Sequence, residues 1–169
     1  LSFYAATKKC NEIMAYSYSE IYKLKCTAIR FFTVYGPLGR PDMALYKFSE
    51  SIKQNKNLEL YNSGNHTRDF TFIDDVILYL KEFRRNKQKK IFEVYNICSN
   101  NPISLIKYLN VIEKNFNKKA KIKKLKLQKG DVVKTHGDNT KIKNLFGKNK
   151  STSVDEGISQ FVNWFKKYR

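Results

Sequence analysis

No apolar run in the 169 residues approaches the length of a bilayer span, and no secretory leader opens the sequence. The expectation is a cytoplasmic protein with no membrane partner. Cysteine is scarce: Cys10, Cys26 and Cys98 are odd in number, widely spaced and free of any Cys-x-x-Cys pattern, which argues against a disulfide framework and a zinc centre. Buried free thiols are the plain reading. His66 and His136 are the only histidines and lack metal-ligand spacing, so they read as surface or loop residues and no metal is expected. Of seven glycines the only close pair, Gly36 and Gly39, lies in a proline-flanked loop, so the chain carries no Gly-rich turn that opens a helix. Such a turn is what lets backbone amides approach a dinucleotide pyrophosphate. That fingerprint is absent here.

Negative charge is also sparse. Asp and Glu number 15 against 33 Lys and Arg, a net charge of +18 that raises the expectation of a polyanionic partner. The densest stretch, Lys118 to Leu127, nevertheless alternates Ile122, Leu125 and Leu127 with lysines, which suits a strand with one wet face. A solvated surface with no specific nucleic acid is the main reading; a basic module binding nucleic acid or acidic glycan stays open beside it.

What is present fits a globular domain: 41% hydrophobic and 14% aromatic residues suffice for a core. Apolar residues recur at helical spacing over residues 3 to 24, and Thr27 to Tyr35 is rich in β-branched and aromatic residues before Gly36-Pro37 stops it. Helices are expected at Met43 to Lys53, from Asp74 or Asp75 to Arg85, and at Ser104 to Phe116, Thr140 to Phe146 and Val154 to Tyr168. Strands are expected at Leu58 to Tyr61, at Phe92 to Ile97 and in the lysine-rich stretch, with a turn at Asn62-Ser63-Gly64-Asn65. Alternating strands and helices predict an α/β fold with a largely parallel sheet.

Chemistry concentrates at a few points. Tyr4 and Lys8 are one helical turn apart and share a face, so the Lys8 charge can favour the Tyr4 phenolate and make a general base of a group with an ordinary pKa of about 10. The spacing alone carries little weight in a chain with this much Tyr and Lys. Thr33 and Arg40 flank the Gly36-Pro37 stop just beyond a strand end, where ligands of open α/β sheets bind; a guanidinium and a hydroxyl there can grip a carboxylate. The alternative is that Arg40 only orders its loop.

Four ordered segments carry a resemblance: Tyr4-Ala5-Ala6-Thr7-Lys8, Arg30-Phe31-Phe32-Thr33-Val34-Tyr35-Gly36-Pro37 with Gly39-Arg40-Pro41-Asp42-Met43-Ala44, Arg68-Asp69-Phe70-Thr71-Phe72-Ile73-Asp74-Asp75-Val76, and Gly130-Asp131-Val132. The chain resembles the extended short-chain dehydrogenase/reductase family of NAD-dependent nucleotide-sugar epimerases and dehydratases, over its whole length and as the C-terminal half of such an enzyme. The Arg-Pro-Asp-Met-Ala stretch looks most like the UDP-glucuronate 4-epimerase branch. The resemblance implies that residues 1–41 and 69–100 form the C-terminal part of an NAD-binding Rossmann domain. Residues 42–68 and 101–169 would form a smaller nucleotide-sugar-binding domain.

It further implies NAD as cofactor, a UDP-sugar as substrate, a missing N-terminal Rossmann half as partner, and a homodimer when complete. Tyr4 matches the catalytic base and Lys8 the lysine that holds the nicotinamide ribose, with Phe31 and Val34 also on the cofactor side. Thr33 and Arg40 match residues that recognise the sugar carboxylate, Arg68 one that contacts the diphosphate, and Asp131 one near the nucleotide ribose; Tyr61 and Gln128 complete the substrate side. Many sugar epimerases have arginine where Gln128 stands, which leaves its role open. The reaction implied is interconversion of UDP-glucuronate and UDP-galacturonate through C4 in polysaccharide precursor synthesis, with the fragment alone inactive. A nucleotide-sugar dehydratase fragment is the alternative within the family.

Overall fold

The structure is a computed structural model that describes residues 2–86, 90–147 and 151–169. In chain order it contains α1 (Phe3–Tyr22), β1 (Cys26–Phe31), β2 (Thr33–Tyr35), α2 (Ala44–Gln54), β3 (Asn57–Tyr61), a 3₁₀ turn at Asn62–Gly64, β4 (Thr67–Arg68), β5 (Phe70–Phe72) and α3 (Ile73–Arg85). β6 (Phe92–Ile97), β7 (Ile103–Ser104), α4 (Leu105–Phe116), β8 (Lys121–Leu125), α5 (Thr140–Phe146) and α6 (Val154–Tyr168) follow. Three strand pairs, β1 with β6, β2 with β5 and β3 with β8, are parallel, while β4 and β7 are antiparallel. This is the α/β fold that the alternating pattern predicts.

Local chemistry sets the helix ends. Ser2 accepts from the Ala5 amide at the start of α1, Ser104 accepts from the Lys107 amide in α4, and Ser153 and Glu156 form a reciprocal capping box in α6. Lys23, Asn55 and Asn117 close α1, α2 and α4 in the left-handed region.

The single strand expected over Thr27 to Tyr35 is two. At Phe32 the chain changes partners: the Phe32 amide reaches back to Ile97 at 3.4 Å, and the Thr33 amide already donates to Asp69 at 3.1 Å. A continuous apolar and β-branched run does not record which neighbour each half bonds. The lysine-rich strand also departs from expectation, since Lys121 to Lys124 are all exposed, Ile122 included. β8 is a rim strand paired to β3 alone among the described residues, and its lysines discourage further strand addition. Of the cysteines only Cys98 is buried, whereas Cys10 is exposed and Cys26 half-buried.

Two hydrophobic clusters hold these elements together. The larger joins Tyr35, α2, β3, β5, α4 and α6 through residues such as Phe48, Leu60, Tyr108, Ile112, Phe161 and Phe165. The smaller joins α3, β6 and α5 through Val76, Tyr79, Tyr95, Ile97 and Ile142. α1 belongs to neither. Its only buried residue is Ser19, whose hydroxyl donates to the Leu24 and Ile91 carbonyls, and it leaves Phe3, Tyr4, Tyr18 and Ile21 more than half exposed. β1 likewise has β6 on one side and, among the described residues, no strand on the other. An uncovered apolar helix beside an unpaired parallel strand is a surface built to be covered.

Candidate active site

Asp69 is the structural centre of the region that Arg68 enters. Its carboxylate is fully buried and accepts from the Ser99 amide (2.9 Å) and hydroxyl (2.7 Å) on one oxygen and from the Asn100 and Gly137 amides (both 3.1 Å) on the other. Its backbone carbonyl accepts from Thr33, so β2, the loop after β6 and the segment before α5 converge on one residue. Gly137 must be glycine here, because a Cβ would meet Cys98 Sγ at 2.4 Å. The buried Asp69 and its three amides were not legible as a hub, although Asp69 stands between Arg68 and an aromatic run.

Tyr4 and Lys8 lie on one face of α1, the Lys8 ammonium 5.3 Å from the Tyr4 ring centroid, and both are open to solvent. They line a groove of about 800 Å³ between α1 and β1, together with Glu12, Arg30 and Phe31. The Glu12 carboxylate is gripped by Arg30 through Nε (2.6 Å) and Nη2 (2.7 Å) and by Lys9 at 2.9 Å, which ties α1 to β1. Those bonds, Arg30 foremost, hold Glu12 at about 2, so this clamp stays ionised at neutral pH.

A second, small cavity lies where β2 ends, lined by Thr33, Val34, Tyr35, Gly36, Arg40 and Tyr108 among others. Gly36, at φ +148°, allows the turn, since a Cβ would strike Ile73 Cγ2 at 2.4 Å. Val34 packs against the smaller core cluster. Arg40 stands exposed, its guanidinium forked onto Asp42 by Nε (3.0 Å) and Nη2 (2.5 Å). The hydrogen bonds and charge of Asp42 raise the Arg40 guanidinium above its ordinary value. Tyr108 is fully buried, stacked on Phe70 at 3.8 Å, and its hydroxyl has no partner among the described residues. Burial raises its pKa and keeps the phenol neutral.

The third group brings together residues far apart in sequence. Arg68 Nη2 contacts Asp131 Oδ1 at 3.1 Å, and Arg68 Nη1 donates to the Val133 carbonyl at 3.0 Å. Burial pulls the Arg68 guanidinium below its usual value, with Asp131 opposing. His66 is not a surface residue: it is 4% exposed, and its Nε2 lies 3.0 Å from Asp131 Oδ2. Its place in a loop hid this, because burial there comes from the crossing 131–135 segment. The Tyr61 phenol lies 3.5 Å from Glu59, and Gln128 offers its carbonyl to the Asp131 amide; neither side chain bonds to the Arg68–Asp131 pair among the described residues. No group of side chains suited to a metal ion occurs among the described residues, and no helix there is long and apolar enough to cross a membrane.

For a dinucleotide the fit is partial. A phenol and an ammonium on one groove wall suit the ribose and the reacting end, but the sequence contains no Gly-rich turn for a pyrophosphate.

The family described as NAD dependent epimerase/dehydratase matches residues 1–98. A UDP-glucuronate 4-epimerase from Thermodesulfobacterium geofontis is 39% identical over 98% of this chain and 51% of its own length. A probable UDP-glucuronate 4-epimerase from Rhizobium meliloti is 37% identical over 98% and 53%. Among solved structures, a Bacillus cereus UDP-glucuronic acid 4-epimerase in complex with UDP-glucuronic acid and NAD superposes on 100% of this chain and 54% of its own, with TM-score 0.95 and 31% identity. The chain therefore spans about half the length of the curated relatives it matches, and corresponds to their C-terminal part. With the family pattern over more than half its residues and this fold throughout, the chain belongs to the NAD dependent epimerase/dehydratase family.

Proposed function

We propose that the chain is the substrate-side half of an NAD-dependent nucleotide-sugar epimerase that interconverts UDP-glucuronate and UDP-galacturonate at C4. The observation that carries this reading is the match of the entire chain, at TM-score 0.95, to an epimerase whose structure holds UDP-glucuronic acid and NAD. A bound NAD would supply a reversible hydride acceptor for the C4 hydrogen. This chain's own residues handle the proton and the substrate: Lys8 stabilises the Tyr4 phenolate and holds the nicotinamide ribose, and the phenolate takes the proton of the C4 hydroxyl to become the neutral phenol. Arg68 meets the diphosphate, Asp131 the uridine ribose, and Thr33 and Arg40 the sugar carboxylate. Asp42 already occupies the Arg40 fork, so the geometry for a bidentate carboxylate exists and the substrate takes the place of Asp42.

Carboxylate recognition is tested by Arg40→Leu in the enzyme completed with the N-terminal half of a relative. KM for UDP-glucuronate should rise roughly tenfold or more, because a two-point ionic contact is lost, while KM for UDP-glucose changes little. Equal losses on both sugars would remove Arg40 from the specificity of the site.

A further inference from the structure

Side chains along an extended segment alternate in direction, so residues 66 and 68 point to the same side. Between them the Thr67 backbone is pinned to the crossing segment: its amide donates to Val133 at 2.9 Å, and its carbonyl accepts from Thr135 at 3.0 Å. His66 is pinned as well, its amide donating to Gly64 and its carbonyl accepting from Leu105. The result is a pinned segment, the loop residue His66 followed by β4, that presents an imidazole and a guanidinium to one carboxylate. Arg68 takes Asp131 Oδ1 at 3.1 Å, and His66 stands 3.0 Å from Oδ2.

Depth distinguishes the two partners. Asp131 is 32% exposed at its side chain and Arg68 18%, whereas His66 is 4% exposed and lies behind the carboxylate. A ligand on the open side can touch Asp131 and Arg68 but not the imidazole. The ring is nonetheless poised, since neither of its nitrogens makes an aligned hydrogen bond to any described residue although Oδ2 is within reach. A buried imidazole left unpaired is unfavourable, and the nearest acceptor is the carboxylate that faces the ligand. Asp131 itself sits on a tight turn closed by its amide bonding to Gln128, after Gly130 at φ +81°. Among the described residues its carboxylate is otherwise anchored by Arg68 alone.

We propose that His66 is a positioning residue that, opposite Arg68, fixes the Asp131 carboxylate as the acceptor for the ribose hydroxyls of a uridine diphosphate. The inference rests on the reading of Arg68 and Asp131 as the nucleotide-binding pair. His66 never contacts the nucleotide; it removes the rotational freedom of the group that does. A leucine of comparable bulk keeps the buried space filled while removing the nitrogen that faces Oδ2, and melting measured beside binding separates a damaged fold from a lost positioning contact.

The test measures binding of UDP and of its 2′,3′-dideoxy analogue to the chain by calorimetry, for the wild type, His66→Leu and His66→Gln, alongside thermal melting. The wild type should prefer UDP. His66→Leu should melt no lower yet bind UDP about tenfold more weakly, with the analogue unchanged, while His66→Gln, which keeps an N–H donor, recovers most of the preference. A leucine variant that keeps the full preference for UDP, or that loses both ligands equally, overturns the positioning role while leaving the nucleotide site standing. A wild type that binds both ligands alike removes the ribose role of Asp131, and the proposal with it.

Discussion

Turnover of UDP-glucuronate by this chain, completed with the N-terminal half of a related epimerase, is expected to fall at least about a hundredfold in Tyr4→Phe, with KM nearly unchanged. The phenolic hydroxyl is the only group removed, and the ring and its packing stay. Tyr4 is 70% exposed on α1, with the Lys8 ammonium 5.3 Å from its ring, so the substitution disturbs no core contact. A large rate effect can then arise only from lost proton transfer. Lys8→Met should share the loss of rate and also weaken cofactor binding, since it removes a ribose contact as well as the charge beside the phenol. Steady-state rates and UDP-sugar affinity measured on the same preparations decide the matter. Retention of most of the rate by Tyr4→Phe would exclude the tyrosine from catalysis.

Asp69→Ala should be the most damaging single change to the fold. Truncation leaves the amides of Ser99, Asn100 and Gly137 without their acceptor around the fully buried Asp69 position. Each orphaned donor carries a desolvation penalty, and together they should cost about 3–5 kcal/mol, or roughly 10 °C in melting temperature for a chain of this size. Asp69→Asn should also be costly, because in either orientation the amide NH₂ would face at least one backbone N–H donor. Since Arg68 precedes this anchor, the alanine variant should lose UDP affinity along with stability. Urea denaturation checks it, and a loss below about 1 kcal/mol would show that the four contacts do not act as an anchor.

The helices and most strands were legible because their periodicities are long and their caps ordinary. Ser104 and Ser153 sit where side-chain acceptors close α4 and α6, and Gly36-Pro37 ends β2 as the stop signal requires. Partner choice was not legible. The break at Phe32 follows from which strand lies alongside, and the exposure of Ile122 follows from its place on a rim strand, neither of which an alternation pattern encodes. The site divides in the same way. Tyr4 and Lys8 are a local pair that helical geometry brings together, whereas the contact between Arg68 and Asp131 spans 63 residues and no spacing rule predicts it. His66 was misjudged because its burial is supplied by the 131–135 crossing, although its offset of two from Arg68 was a signal that both face one side.

The exposed apolar side of α1 and the edge of β1 that has no strand beside it among the described residues border the groove lined by Tyr4 and Lys8, and in the proposed reading a second half of the enzyme covers them. Calorimetric titration of the 169-residue chain with UDP-glucuronate and with NAD, alone and mixed with the N-terminal half of a relative, addresses this directly. The chain alone should bind the UDP-sugar and show no affinity for NAD, and NAD binding and turnover should appear together once the second half is supplied. NAD bound tightly by a monomer of this chain alone would contradict its assignment as the substrate-side half.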